Sequence, residues 1–260
     1  SNSARAAHGQ RPTRPPLGGR YAPTQPGRAL PSSGERIIEM PKTFPTPKLV
    51  IFDCDGVLVD SEVIANRAMA ANLTRHGYAI TAEESFARFA GGTMKGVLAK
   101  ARQAVPDLAD AWIEEAYKDI YAALEAGTPV VAGIPALLDR LEAEGIPFCV
   151  ASNGRVAKMK ITLGQNGLWE RFQGRMFSAH DLGVAKPEPG LFLAAASHFG
   201  VQARDCLVVE DSVSGVTAAE RAGMRCLGYA AHDDGSQLAE RGAEVFLDMA
   251  DVPRLIGLES

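Results

Sequence analysis

Crosslinks, structural zinc and membrane spans find little support in this chain of 260 residues. Only four cysteines occur, Cys54, Cys149, Cys206 and Cys226, and no two of them form a C-x-x-C pair. That spacing argues against a zinc ribbon or a dithiol redox centre. Each cysteine lies in or beside an apolar, strand-like run, where a reduced thiol acts as a small hydrophobe. Reduced thiols fit a cytoplasmic location. No apolar run reaches the roughly 20 residues that a spanning helix needs. The first residues also lack the apolar stretch of a secretory signal. Basic residues are scarce outside the N-terminal stretch. Residues 1–48 hold eight Lys/Arg against Glu35 and Glu39, a net of +6, which leaves −10 of the overall −4 on the remainder. An acidic body lacks the clustered Lys and Arg of a nucleic-acid groove. It is compatible with a divalent cation that bridges the protein to an anionic substrate.

Residues 1–47 are rich in Pro, Arg, Ser and Gly and show almost no apolar periodicity. Such a segment cannot bury enough surface to offset its ordering entropy and is expected to be a disordered leader. Met40 is a candidate natural start. An organelle-targeting peptide shares the Arg-rich, acid-poor composition, but no amphipathic helix is visible in it.

The apolar run Leu49–Phe52 reads as a buried strand of a parallel sheet. From Glu62 to Thr128 only helical patterns follow. Ser61 is placed to cap a helix through Tyr78, and Thr81-Ala-Glu-Glu84 reads as a capping box. Gly91-Gly92 breaks the second helix, Thr93 caps a third reaching Val105, and Pro106 opens a fourth over residues 107–126. Strand–helix alternation then resumes. Helices are predicted at 134–144, 155–166, 188–199 and 212–222. Strands are predicted at Pro147–Ala151, Met176–Ser178, Cys206–Val209, Arg225–Tyr229 and, at an edge, Glu244–Leu247. The pattern predicts an α/β fold with a doubly wound, mostly parallel sheet and an inserted helical cap. The expected domains are a core of residues 48–60 plus 128–260 and a cap of residues 61–127.

The informative residues fall at strand ends, where open α/β sheets bind ligands. Asp53 and Asp55 follow the first strand. Carboxylates two residues apart on an extended backbone face the same way, so they repel unless one takes a proton or a cation joins them. Ser152 and Asn153 close another strand before Gly154, an arrangement suited to a phosphate oxygen and equally to a helix cap. Lys186 stands in Gly183-Val-Ala-Lys-Pro-Glu-Pro-Gly190, where two prolines stiffen its backbone. Glu210 and Asp211 end a buried strand, a costly placement without a cation, although Asp211 or Ser212 also suits a helix cap. Hard oxygen ligands of this kind suit Mg²⁺ beside a phosphate.

With these residues in order, the chain resembles the haloacid dehalogenase-like (HAD) superfamily. The four motifs of that superfamily match Asp53-Cys-Asp55-Gly-Val, Ser152, Lys186-Pro and Glu210-Asp211. A helical segment between the first two motifs is similar to the subgroup of β-phosphoglucomutases and small sugar-phosphate phosphatases, including 6-phosphogluconate phosphatase-like members. The resemblance implies that Asp53 attacks phosphorus and becomes an aspartyl phosphate, with Asp55 as acid and then base. It implies Mg²⁺ held by Asp53, the Asp55 carbonyl and Asp211, with Glu210 a further candidate. Ser152, Asn153 and Lys186 would hold the phosphoryl oxygens. Haloacid dehalogenases proper lack the second acid of the first motif, and Asp55 is present here. β-Phosphoglucomutases carry a cap histidine where this chain has Ala65, and a cap arginine that aligns with Met94, although Lys95 is adjacent. Hydrolysis of a small phosphorylated metabolite by a monomer is the expectation, with Thr93 and Lys95 as cap specificity residues. The alternatives are a sugar-phosphate mutase, a phospho-accepting signalling module and a silent binding relative. The long helical insert disfavours the signalling module.

Overall fold

The computed structural model describes residues 45–89 and 93–258. Most of the expected leader and the Gly91-Gly92 break lie outside the described residues. Among those described, six strands form one parallel sheet in the order β3-β2-β1-β4-β5-β6. The strands are β1 (Leu49–Phe52), β2 (Phe148–Ser152), β3 (Met176–Ser178), β4 (Cys206–Glu210), β5 (Arg225–Tyr229) and β6 (Glu244–Phe246). The first strand in sequence is thus central, and its neighbours β2 and β4 leave in opposite directions. That reversal opens a crevice at the carboxyl ends of the strands.

The pleat divides the core in two. Val50 and Phe52, with Phe148, Val150, Leu207 and Val209, face one apolar layer; Leu49 and Ile51, with Cys149, Ala151, Cys206 and Val208, face the other. Strands covered on both faces carry continuous apolar runs, which is why Leu49–Phe52 has no alternation. Helices α5 (Ile134–Ala143), α6 (Val156–Gly164), α7 (Trp169–Phe172) and α12 (Val252–Leu255) contribute to the first layer. Helices α9 (Gly190–His198), α10 (Val213–Ala222) and α11 (Ser236–Glu240) contribute to the second, and the short α8 (Ala179–Leu182) follows β3. All four cysteines are buried and free, and burial pushes the thiols up, away from the reactive thiolate.

Between β1 and β2 lies the helical cap: α1 (Glu62–Arg75), α2 (Ala82–Phe89), α3 (Met94–Ala101) and α4 (Trp112–Glu125). They enclose their own apolar cluster around Leu73, Ala101, Trp112, Ala116 and Leu124. The two passages of chain joining cap and core run side by side. The Asp60 amide donates to the Pro129 carbonyl at 2.9 Å, and the Val131 amide to the Leu58 carbonyl at 3.0 Å. The capping box forms as expected, with Thr81 and Glu84 exchanging bonds of 2.9 and 3.1 Å. Thr93 Oγ1 likewise accepts from the Gly96 amide at 3.1 Å.

Three helix readings are corrected, the first helix ending at Arg75 rather than Tyr78. The third helix stops at Ala101 rather than Val105, and the fourth starts at Trp112 rather than 107. The cause is Arg102, whose Nε donates to the Leu108 carbonyl at 2.9 Å and whose guanidinium pairs with Asp110 at 2.7 Å. That side chain holds residues 102–111 as turns. Ser61 stands at the head of α1 but makes no capping bond; its hydroxyl is used elsewhere.

Inside the cap, Asn72 is fully buried and links two helices. It accepts from the Trp112 indole at 2.6 Å and donates to Asp119 at 2.7 Å. Replacing Asn72 by Leu orphans the indole N–H. Urea unfolding of Asn72→Leu is expected to show a loss of about 1–3 kcal/mol.

Candidate active site

Every candidate residue read from the sequence lines one cleft of about 920 Å³ between the strand ends and the cap. Asp53, Asp55, Ser152, Asn153, Lys186, Glu210 and Asp211 form its floor, and Thr93 and Lys95 border it from the cap. Parallel strands deliver the floor residues from distant parts of the chain to one edge. The Asp53 amide donates to the Val209 carbonyl at 2.9 Å, which fixes this residue just past β1.

Lys186 is the hub. Its Nζ lies 2.5 Å from both Asp53 Oδ1 and Glu210 Oε1. Burial alone would lower its pKa, but the two carboxylates reverse that and raise it, so the ammonium persists. Its backbone is bracketed by the Asn153 side chain, which accepts from the Lys186 amide at 2.9 Å and donates to the Lys186 carbonyl at 3.3 Å. The Asn153 side chain therefore holds the lysine loop, a contact that sequence reasoning missed. Ser152 Oγ accepts from the Gly154 amide at 2.9 Å within the turn, leaving its own proton for the cleft.

The acids differ sharply. Burial lifts the Asp53 carboxyl to about 7, with Lys186 opposing and Glu210 and Asp55 adding to the rise. Glu210 is fully buried and saturated: besides Lys186, it accepts from the Asp211 and Ser212 amides at 3.0 Å each and from the Ser212 hydroxyl at 2.9 Å. Ser212, rather than Asp211, caps the following helix, accepting from the Gly215 amide at 3.0 Å. The Asp211 carboxylate has no hydrogen bond or ion pair among the described residues. Burial, then Glu210 and Asp53, push its carboxyl well above the ordinary range. Ligand oxygens of Asp53, Glu210 and Asp211 lie within 4.8 Å of one another. Glycine keeps this cluster open. A Cβ on Gly56 (φ 79°) would lie 1.9 Å from Asp211 Oδ2, and one on Gly215 would lie 1.9 Å from the Glu210 carboxyl carbon.

Asp55 is held apart from Asp53 by a cation of its own. Lys158 Nζ lies 2.7 Å from Asp55 Oδ1, and the Ser61 hydroxyl donates to the same oxygen. Burial pushes the Asp55 carboxyl upward, but Lys158 and Ser61 outweigh it and hold the group below the usual carboxylate range. Above the floor, Arg155 ties the core to the cap. It pairs with Glu114 of α4 at 2.9 Å, and its guanidinium lies 4.1 Å from the centre of the Tyr117 ring. Neither Lys158 nor Arg155 was singled out in the sequence. Replacing the unpaired Asp211 carboxylate by Asn removes a repulsion at a half-buried position. In thermal unfolding without metal, Asp211→Asn is expected to be more stable than the parent by about 0.5–2 kcal/mol.

A family profile for haloacid dehalogenase-like hydrolases matches residues 47–223. The chain is 32% identical over 208 residues to the 6-phosphogluconate phosphatase of Escherichia coli, covering 79% of this chain and 93% of that protein. It is 30% identical to hexitol phosphatase A of the same organism, over 73% of this chain and 86% of that protein. Among solved structures, a haloacid dehalogenase-like protein of Agrobacterium tumefaciens is 38% identical with a TM-score of 0.70, covering 80% of this chain and 97% of that one. A HAD family hydrolase from Deinococcus radiodurans, solved with bound phosphate and sodium, is 29% identical with a TM-score of 0.69, covering 84% and 99%. The central β1, the strand-end acids and a match spanning most of the chain agree: this protein belongs to the haloacid dehalogenase-like hydrolases, and within them to the phosphatases.

Proposed function

We propose that this chain is a Mg²⁺-dependent phosphatase that hydrolyses a small sugar or polyol phosphate through an aspartyl phosphate on Asp53. The carrying observation is the pairing of a lysine-bound carboxylate, Asp53, with an unpartnered one, Asp211, on the floor of one cleft. A half-buried orphan acid beside a nucleophile's carboxylate fits a hard cation with oxygen ligands. Asp53, Asp211 and the Asp55 carbonyl would hold it; Glu210, already saturated, serves better as the anchor of Lys186. Bound there, Mg²⁺ neutralises charge as a phosphate dianion meets a carboxylate.

The residues divide the work as follows. An Asp53 oxygen attacks phosphorus, and the bond from phosphorus to the leaving oxygen breaks as that oxygen takes a proton from Asp55. Lys186 and Ser152 meet the charge on the equatorial oxygens. Water then attacks the aspartyl phosphate and gives a proton to Asp55, which frees Asp53 and inorganic phosphate. The cap, residues 61–127, closes over the core, residues 48–60 plus 128–260, and excludes bulk water. Thr93 and Lys95 read the leaving group from the cap side.

Substrate class is supported by the names of the relatives, 6-phosphogluconate phosphatase and hexitol phosphatase A. Hydrolysis is preferred to the mutase alternative because Ala65 and Met94 line the cleft at the two positions that distinguish mutases. No helix among the described residues is long and apolar enough to cross a membrane. We take the enzyme to act in the cytoplasm as a monomer. With Mg²⁺, the purified protein is expected to release phosphate from members of a sugar- and polyol-phosphate panel. Chelation and Asp53→Asn should each reduce release to background. No turnover of any phosphomonoester by the intact protein defeats the proposal.

A further inference from the structure

Lys158 does no work in the reading above, yet it is among the more confined cations of the site. Its side chain is 19% exposed, and that of its partner Asp55 is 21% exposed. It projects from the first turns of α6, the helix that follows the Ser152 turn, and its stem runs past Gly154. A Cβ built on Gly154 would lie 3.7 Å from Lys158 Cδ and 3.7 Å from Asp55 Oδ2. Both donors to the Asp55 carboxylate, Lys158 and Ser61, meet Oδ1. Oδ2 accepts no hydrogen bond among the described residues, and it lies on the side of the Ser152–Gly154 turn.

We propose that Lys158 is a positioning residue that clamps Asp55 by one oxygen and leaves the other for proton transfer. The inference rests on the assignment of Asp55 as the acid and base of phosphoester hydrolysis. Carboxylates so close in sequence would otherwise repel or compete for Lys186. Two lysines divide them: Lys186 serves Asp53, and Lys158 serves Asp55. With Oδ1 pinned, Oδ2 carries the proton taken from water in the preceding turnover and gives it to the leaving oxygen as the bond to phosphorus breaks; the ion pair with Lys158 favours the carboxylate left behind. In the second half-reaction the same oxygen takes one proton from the attacking water. A merely structural Lys158 would support every substrate alike. Up to the departure of the leaving oxygen, the stage that kcat/KM reports, a positioning Lys158 matters only where that oxygen needs a proton.

The test compares kcat/KM for an alkyl phosphate turned over by the parent with that for p-nitrophenyl phosphate, whose phenolate departs without protonation. Saturating Mg²⁺ is used throughout. Lys158→Met is expected to lose roughly 10²-fold on the alkyl ester, the scale of a misplaced reacting group, with little loss on the nitrophenyl ester. Asp55→Asn should show the same split in kcat/KM while its kcat, which includes hydrolysis of the aspartyl phosphate, falls on both esters; Ser61→Ala should show a weaker split, and Lys158→Arg should retain more alkyl-ester activity than Lys158→Met. Should the methionine variant fail to fold, the serine and arginine variants carry the comparison. If Asp55→Asn shows the split while the Lys158 and Ser61 variants lose both esters equally or neither, the role of Lys158 is overturned alone. If Asp55→Asn shows no split, the acid assignment falls, and this inference falls with it.

Discussion

Everything at the strand ends depends on one ammonium group, Lys186 Nζ, shared between Asp53 and Glu210 at 2.5 Å each. Burying a carboxylate is expensive, and burying two side by side more so, unless a cation is hydrogen-bonded to both. The lysine makes that arrangement tenable, and the fold invests in holding it. The side chain of Asn153 grips its backbone from β2, and Glu210 is itself locked by two amides and a hydroxyl. Three adjacent strands, β1, β2 and β4, therefore converge on one charge.

Around that hub the charges are arranged unequally. Asp53 and Glu210 are compensated, Asp55 is compensated by Lys158, and Asp211 is left without a partner. Such a surplus is destabilising in itself and useful only in the presence of a further positive charge. Natural sites commonly trade stability for function in this way. The cap contributes a different kind of contact. Arg155 and Glu114 are tied across the cleft by a largely exposed ion pair, and an aromatic face adds support. Exposed pairs of this kind are weak.

Much of the fold was legible because parallel strands buried on both faces have a plain signature. Leu49–Phe52, Met176–Ser178 and Arg225–Tyr229 were bounded correctly from apolar runs and turn residues alone. The errors came where a long side chain overrode local preference. Pro106 suggested a helix start, but Arg102 captured the Leu108 carbonyl and kept the chain in turns. Ser61 suited a helix cap, but its hydroxyl found Asp55 across a tight loop. Of the site, the strand-end acids, Ser152 and Lys186 could be read because strand termini announce themselves. Lys158 could not. A lysine on the first turns of an amphipathic helix is ordinarily solvated, and nothing local reveals that its partner waits at the end of β1.

Positions 56 and 215 set a limit of volume. Neither glycine touches a ligand or moves a proton, yet a single methyl group at either would occupy space already taken by a carboxylate. An alanine at either must push a carboxylate of the floor aside, and at position 56 it must also hold a left-handed backbone. The acidic floor is thus set in a backbone mould as much as in a balance of charge.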